Sequence, residues 1–308
     1  MRSRPVDRAA RAVALCRPND KPASKRVGQC HDFEKQAMTE PVTVTYATHP
    51  TKKGMCALEA DLFLPDGDGP FDLMVWMHSG GFRTGSRQHR NHPRIAAEFA
   101  RHGIATAFID YRLARPPAIL RPGTEAALPA LVADAVAAGE EMPESFLGPR
   151  ALAVVEDACA FLAFAEGRRA DWRLSGRFLL AGSSAGAISA LNALWLPVAL
   201  GIDRPTVATG FSFSGGFAYP SFRHPTGARV LALHGPGDTR VPISSIRRLA
   251  LATGPGDDPV TLIEDAQNDH GDLRLTPEEP LSAAVARAVG FHRGGAAAIA
   301  AGKRMAGC

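Results

Sequence analysis

The sequence predicts an α/β fold in which a mostly parallel central sheet is covered by helices on both faces, and three observations carry that expectation. Short, continuously apolar runs recur along the chain, as strands buried on both faces read. Segments with helical spacing alternate with them, the order that parallel strands joined by crossover helices require. Glycine-containing loops follow several of the runs, at what would be the C-terminal edge of the sheet, where side chains from distant parts of such a chain converge.

Residues 42–47 and 57–64 alternate in period two, with Pro65-Asp66-Gly67 as a turn, and predict an antiparallel opening pair. Residues 73–77 form the first continuously apolar run. A helix is expected over 93–102, with a proline near its start and Gly103 past its end. A second buried strand over 104–109, an apolar helix over 151–166, a strand over 177–181 and a helix from 185 to 196, stopped by Pro197, follow. Strands over 206–213, 229–233 and 260–264 and a closing helix over 281–292 complete the pattern. Residues 115–150, rich in Pro and Ala, interrupt the rhythm between a strand end and the next helix, with a short helix expected at 129–138. An insertion there is placed to serve as a lid; a surface elaboration is the plainer alternative.

At 308 residues, 45% hydrophobic and 21% charged, the chain can bury a large core, and one domain over 38–295 is expected. A polar leader, 1–37, and a flexible tail, 296–308, flank it. The formal charge of +4 belongs to the leader, which holds nine Lys/Arg against four acids and leaves the remainder near neutral. A basic face on the folded domain, and with it a nucleic-acid partner, is therefore not expected. Five cysteines without C-x-x-C spacing argue against a disulfide framework or zinc site, and Cys159, in an apolar run, reads as a packing residue. No apolar stretch approaches the roughly 20 residues of a membrane span. The leader has the Arg content of an import signal, but its Ala-Val-Ala-Leu patch is too short for a secretory segment. A disordered extension, or a start codon placed too early with Met38 as the true first residue, is simpler, and a cytoplasmic protein is the expectation.

Gly182-Ser183-Ser184-Ala185-Gly186 fits G-x-S-x-G between a buried strand and an Ala-rich helix. A serine on so sharp a turn takes strained backbone angles, and only small flanking residues let strand and helix approach. The helix points its first amides at the site, favouring a developing anion. Upstream, His78-Ser79-Gly80-Gly81-Phe82 follows another buried strand, and a Gly-Gly pair can turn amides outward without steric cost. The expected oxyanion donors are Gly80 or Gly81, together with Ala185. An acid and a base should follow at later strand ends. Asp238, in His234-Gly235-Pro236-Gly237-Asp238, and His270, before Gly271, occupy such loops. Asp265, Asp269 and Asp272 lie nearer His270 in sequence and are the competing acids.

With these residues in place the chain resembles the α/β-hydrolases, and more narrowly their esterase group with an HGGG-type oxyanion loop. The likeness spans about residues 56–292 and adds Asp110-Tyr111-Arg112-Leu113 and the H-G-x-x-D-x-x-V-P pattern from His234 to Pro242. Departures are Ser79 in place of a loop glycine, Ser183 in place of the frequent elbow acid and Ala187 in place of its last glycine. The resemblance implies a serine hydrolase acting on a small-molecule carboxylic ester, with Ser184 as nucleophile, His270 as base and Asp238 orienting it. Cofactor and metal are not expected. Amidase, formamidase or acyltransferase chemistry uses the same triad, and a non-catalytic binding protein can share the scaffold. Phe82, Ser183 and Phe217 are the candidate pocket residues, and apolar residues of the 115–150 insertion point to short acyl groups. His78 and His234 are expected to brace loops, Asp110 and Arg112 to pair with each other, Asp157 to be a satisfied internal acid, and Ser183 and Ser214 to be ordinary small residues.

Overall fold

The computed structural model describes residues 14–15, 38–254, 258–267 and 270–299, so most of the expected leader and tail lies outside the described residues. In chain order the elements are β1 (Ala14–Leu15), β2 (Val42–Thr51), β3 (Gly54–Phe63), β4 (Phe71–Met77), α1 (His92–Ala100), β5 (Ile104–Ile109) and α2 (Pro122–Ala137). They continue as α3 (Pro149–Glu166), β6 (Leu174–Ser183), α4 (Ala185–Trp195), β7 (Val207–Phe213), β8 (Arg229–His234), α5 (Ser244–Ala252), β9 (Val260–Glu264) and α6 (Leu281–Gly294).

The strands form one sheet. β2 pairs antiparallel with β3 and β3 antiparallel with β5, after which β5, β4, β6, β7, β8 and β9 lie side by side, all parallel. The short β1 lies parallel to β3 at Cys56 and Ala57. The parallel strands read as continuous apolar runs because both faces are covered. Along β4, Leu73, Val75 and Met77 enter one core with residues of α2, α3, α4 and α5, and Met74 and Trp76 enter the other with α1 and α6. Alternate side chains of a strand point to opposite faces, so a run without polar gaps serves two cores at once.

Several local expectations change. The insertion helix begins at Pro122 rather than Pro129, which lies inside it. Pro122 takes the first-turn position where a missing N–H is harmless, and Pro129 is exposed, so water can satisfy the carbonyl it frees. Helix α5, a short amphipathic segment with Ile246 and Leu249 turned inward, adds an element to the expected pattern. Asp110 and Arg112 do not pair. Asp110 accepts from the Arg87 backbone amide at 2.8 Å and its guanidinium at 2.7 Å, while Arg112 turns into the core against Asp157 and Glu156 at 2.8 and 2.7 Å. An extended backbone sends positions 110 and 112 to the same face, but a buried guanidinium needs more acceptors than one carboxylate supplies, and α3 offers two side by side. Asp157 is the satisfied internal acid expected of it. Among the described residues Cys159 is a free buried thiol, and Cys56 is disulfide-bonded, a crosslink the odd cysteine count did not suggest. Among them, too, no helix is long and apolar enough to cross a membrane.

Candidate active site

Three loops leave the C-terminal ends of β6, β8 and β9 and bring Ser184, Asp238 and His270 together. Ser184 stands between β6 and α4 at φ 56° and ψ −122°, a conformation that L-residues rarely adopt. The chain tolerates it because the turn is held from outside: the Ser184 amide donates to Phe213 O at 2.8 Å. The flanking glycines are spacers. A Cβ on Gly186 would lie 2.0 Å from Met77 O, and one on Gly182 would lie 2.3 Å from the Gly186 carbonyl. Only hydrogen at these positions lets α4 start against the end of β4.

His270 Nε2 lies 2.8 Å from Ser184 Oγ, and His270 Nδ1 lies 2.6 Å from Asp238 Oδ2. An ionised Asp238 accepts only, so Nδ1 carries the proton and Nε2 accepts from the serine hydroxyl. Asp238 Oδ1 is occupied separately, accepting from the amides of Arg240 and Val241 at 2.9 and 3.1 Å. Burial alone would raise the Asp238 carboxyl. The hydrogen bonds from His270, Val241 and Arg240 outweigh it and hold the group below the usual carboxylate range. The competing acids are engaged elsewhere or unseen: Asp272 binds Arg274 at 2.6 Å, Asp265 caps Gln267 N at 2.8 Å, and Asp269 lies outside the described residues.

Gly80, Gly81 and Phe82 have φ of 120°, 60° and 60°, all positive, a backbone that glycine adopts at little cost and other residues rarely. Gly80 O accepts from the amides of Arg83 and Thr84 at 3.0 and 3.2 Å, and a Cβ on Gly80 would meet Thr84 O at 2.0 Å. Ala185, first residue of α4, has an amide with no partner within its own helix by position. His78 braces this loop. Its Nδ1 donates to Ser79 O at 2.7 Å, its ring stacks on Tyr111 at 4.0 Å, and Tyr111 Oη donates to His78 O at 2.8 Å. Burial pushes its pKa down to about 4, which keeps the ring neutral. His234 Nε2 likewise donates to Val241 O at 2.9 Å, and burial lowers its pKa. Arg87, which drew no attention in the sequence, ties the loop to the sheet through Glu59, Asp61 and Asp110 at 2.9, 2.9 and 2.7 Å.

A cavity of about 730 Å³ opens beside His270, between α1 and the chain from Gly271 to Leu281. Ser183 lines it; Phe82 and Phe217 do not. Phe82, at 0% exposure, turns inward against Tyr111 and Phe146, and Phe217 packs on Trp195 and Tyr219. The insertion meets the site from the other side. Phe146 Cε1 would lie 3.7 Å from a Cβ on Gly81, Met142 Cε 3.4 Å from one on Gly216, and Tyr219 Oη donates to Leu147 O at 2.7 Å. Among the described residues no group of three His, Cys, Asp or Glu is arranged to hold a metal ion.

A serine hydroxyl on an imidazole nitrogen, with a carboxylate on the other ring nitrogen, is an arrangement that can pass a proton. No protein-family model and no curated protein matches the chain. Solved structures do. Thermogutta terrifontis esterase 2, phosphorylated by paraoxon, is 15% identical over 83% of this chain and 95% of its own, with a TM-score of 0.58. A bacterial heroin esterase is 18% identical over 85% of this chain and 86% of its own, with a TM-score of 0.59. Pyrobaculum calidifontis esterase is 16% identical over 82% and 84%, with a TM-score of 0.56. At such identities the likeness establishes architecture: the chain has the α/β-hydrolase fold.

Proposed function

We propose that this α/β-hydrolase-fold protein is a serine esterase that cleaves carboxylic esters of short acyl groups. The observation that carries the reading is the unbroken chain of hydrogen bonds from Asp238 through His270 to a serine held at φ 56°. In the reaction, His270 Nε2 takes the Ser184 proton as Oγ attacks the carbonyl carbon. The oxyanion is received by the amide of Gly80 or Gly81 and that of Ala185, and Asp238 stabilises the imidazolium. His270 then hands its proton to the departing alcohol, leaving an acyl-enzyme. Water, deprotonated by the same nitrogen, attacks the acyl carbon, and His270 returns that proton to Ser184 Oγ as the acid departs.

The short-acyl preference is argued from the insertion, whose Phe146 ring edge would lie 3.7 Å from a Cβ on Gly81 and so covers the loop on that side. Each further methylene contributes about 0.8 kcal/mol only while the space accepts it. The test is labelling by a fluorophosphonate together with turnover of a nitrophenyl ester series and matched anilides, for the protein and Ser184→Ala. Labelling and ester turnover that both vanish in Ser184→Ala, with kcat/KM peaking at two to roughly six acyl carbons, are expected. Unchanged activity in Ser184→Ala would overturn the nucleophile, anilides preferred to esters would make it an amidase, and a rate climbing to long chains would remove the short-acyl claim.

A further inference from the structure

We infer that Ser183 and Ser214 are positioning residues that hold His270 in register with Ser184 by gripping both backbone polar groups of Gly271, an inference that rests on the esterase reading above. The Ser183 hydroxyl donates to Gly271 O at 2.7 Å, and the Gly271 amide donates to Ser214 Oγ at 2.8 Å. The residue after the histidine is thus gripped by one hydroxyl acting as donor and another acting as acceptor.

Each serine is itself anchored to a strand that carries part of the site. Ser183 is the last residue of β6 and immediately precedes Ser184, so its hydroxyl ties the histidine loop to the nucleophile's own strand. Ser214, fully buried at φ 56°, follows β7, and its amide donates to Leu233 O of β8, the strand that leads to Asp238. Ser184 N to Phe213 O and Ser214 N to Leu233 O form a staircase across three strand ends, and Gly271 closes it from the fourth. The grip also requires a glycine: Gly271 has φ 72°, and a Cβ there would lie 2.3 Å from Ser183 Oγ.

Alanine at either position would keep the packing and lose only the hydroxyl. Freed at one end, the loop can drift, lengthening Nε2 to Oγ, and a displacement near 1 Å at a reacting group costs on the order of 10² in rate. Ser183 and Gly271 line the cavity and Ser214 does not, so it is at Ser214 that the grip should act on kcat and not on KM.

The experiment measures kcat per active site, with sites counted by fluorophosphonate titration, for the parent, Ser183→Ala, Ser214→Ala and Ser183→Thr, and turnover per mole of protein for Ser184→Ala. A low-field proton resonance from the His270–Asp238 hydrogen bond is followed in each. Ser183→Ala and Ser214→Ala should each lose about 10- to 100-fold in kcat per titrated site. In Ser214→Ala KM should stay within about threefold, and in both variants the resonance should broaden as the imidazole gains freedom. Ser183→Thr, which keeps the hydroxyl, should recover most of the rate. A role in folding alone would lower the titratable fraction and leave kcat per site intact, and that result overturns the inference. So does Ser183→Thr no better than Ser183→Ala. If Ser214→Ala does not fold, the Ser183 pair decides alone, because Ser183 is half-buried beside the cavity. Turnover retained in Ser184→Ala would instead sink the esterase reading, whereas a dead Ser184→Ala beside intact serine variants would sink only the grip.

Discussion

Replacing Asp238 by asparagine changes one atom and should nearly abolish turnover, for a reason the hydrogen bonds make specific. Oδ1 of Asp238 already accepts from two backbone amides, Arg240 N and Val241 N. In the amide those two donors claim the carbonyl oxygen, so the NH2 group is forced toward His270 Nδ1. Nδ1 must then accept, the ring proton moves to Nε2, and the imidazole donates to Ser184 Oγ instead of accepting from it. The base is lost with the geometry nearly intact. By analogy with the protease triad the loss is about 10⁴ in kcat, or about 5.5 kcal/mol of transition-state stabilisation. The assay is steady-state hydrolysis of nitrophenyl acetate near neutral pH, with thermal denaturation beside it to show that the variant folds. A loss under about tenfold, or a larger loss from Asp265→Asn or Asp269→Asn, would refute the assignment of Asp238 and the tautomer argument with it.

The remaining predictions concern stability. His78 and His92 are both buried with pKa values lowered by burial to about 4, so below their unfolded pKa of 6.5 the unfolded chain binds protons that the folded chain refuses. The stability they permit is complete above pH 6.5 and falls as the pH drops from there toward 4, by about 3 kcal/mol per histidine at most. Urea titrations across that range should show the decline, and a flat profile between pH 7 and 4.5 would contradict it. Arg112→Met removes the guanidinium that Asp157 and Glu156 share and leaves two buried carboxylates without it, which should cost about 3–5 kcal/mol; a midpoint in urea matching the parent would show that the trio carries no such load. Gly186→Ala places a methyl 2.0 Å from Met77 O and should prevent α4 from docking on β4, seen as loss of both soluble protein and fluorophosphonate labelling. Normal labelling in that variant would mean the elbow relaxes more easily than the contact implies.

What could be read from the sequence, and what could not, divides along contact distance. The central parallel strands are legible because a strand with two cores is nearly all apolar: β5 falls on its run to the residue, and β4 begins two residues earlier, at the buried Phe71. β9, at the sheet edge and mostly half-buried, spans 260–264 as expected although Thr261 and Glu264 interrupt it. Helix α5 is hard to see because only Ile246 and Leu249 form its inward apolar face, too few positions to show a helical period, while Arg247 and Arg248 lie on the exposed side and pair with Glu264 and Glu140. Pro122 and Pro129 are equally good helix starts in one dimension, and what separates them is which turn faces solvent, a property of the packed molecule. The exchange of partners at Asp110 and Arg112 has the same origin. Two opposite charges two residues apart suggest a pair until a helix 45 residues away presents a carboxylate to one of them.

The candidate site shows that division within a few ångströms. The motif positions of Ser184, Asp238 and His270 are visible because each must end a strand and each needs a glycine close by, and glycine leaves a mark in the sequence. Ser183 and Ser214 leave none. A serine beside an elbow is common and small, and whether its hydroxyl is idle or holds a backbone carbonyl depends on where residue 271 arrives after a long excursion through β7, β8 and β9. The cavity is hidden for the same reason: it lies between α1 and the chain after Gly271, segments about 180 residues apart that the folded chain brings together. Chemistry that needs one unusual backbone angle is written locally. Chemistry that needs a distance held constant is written in the partners, and it is found only where they meet.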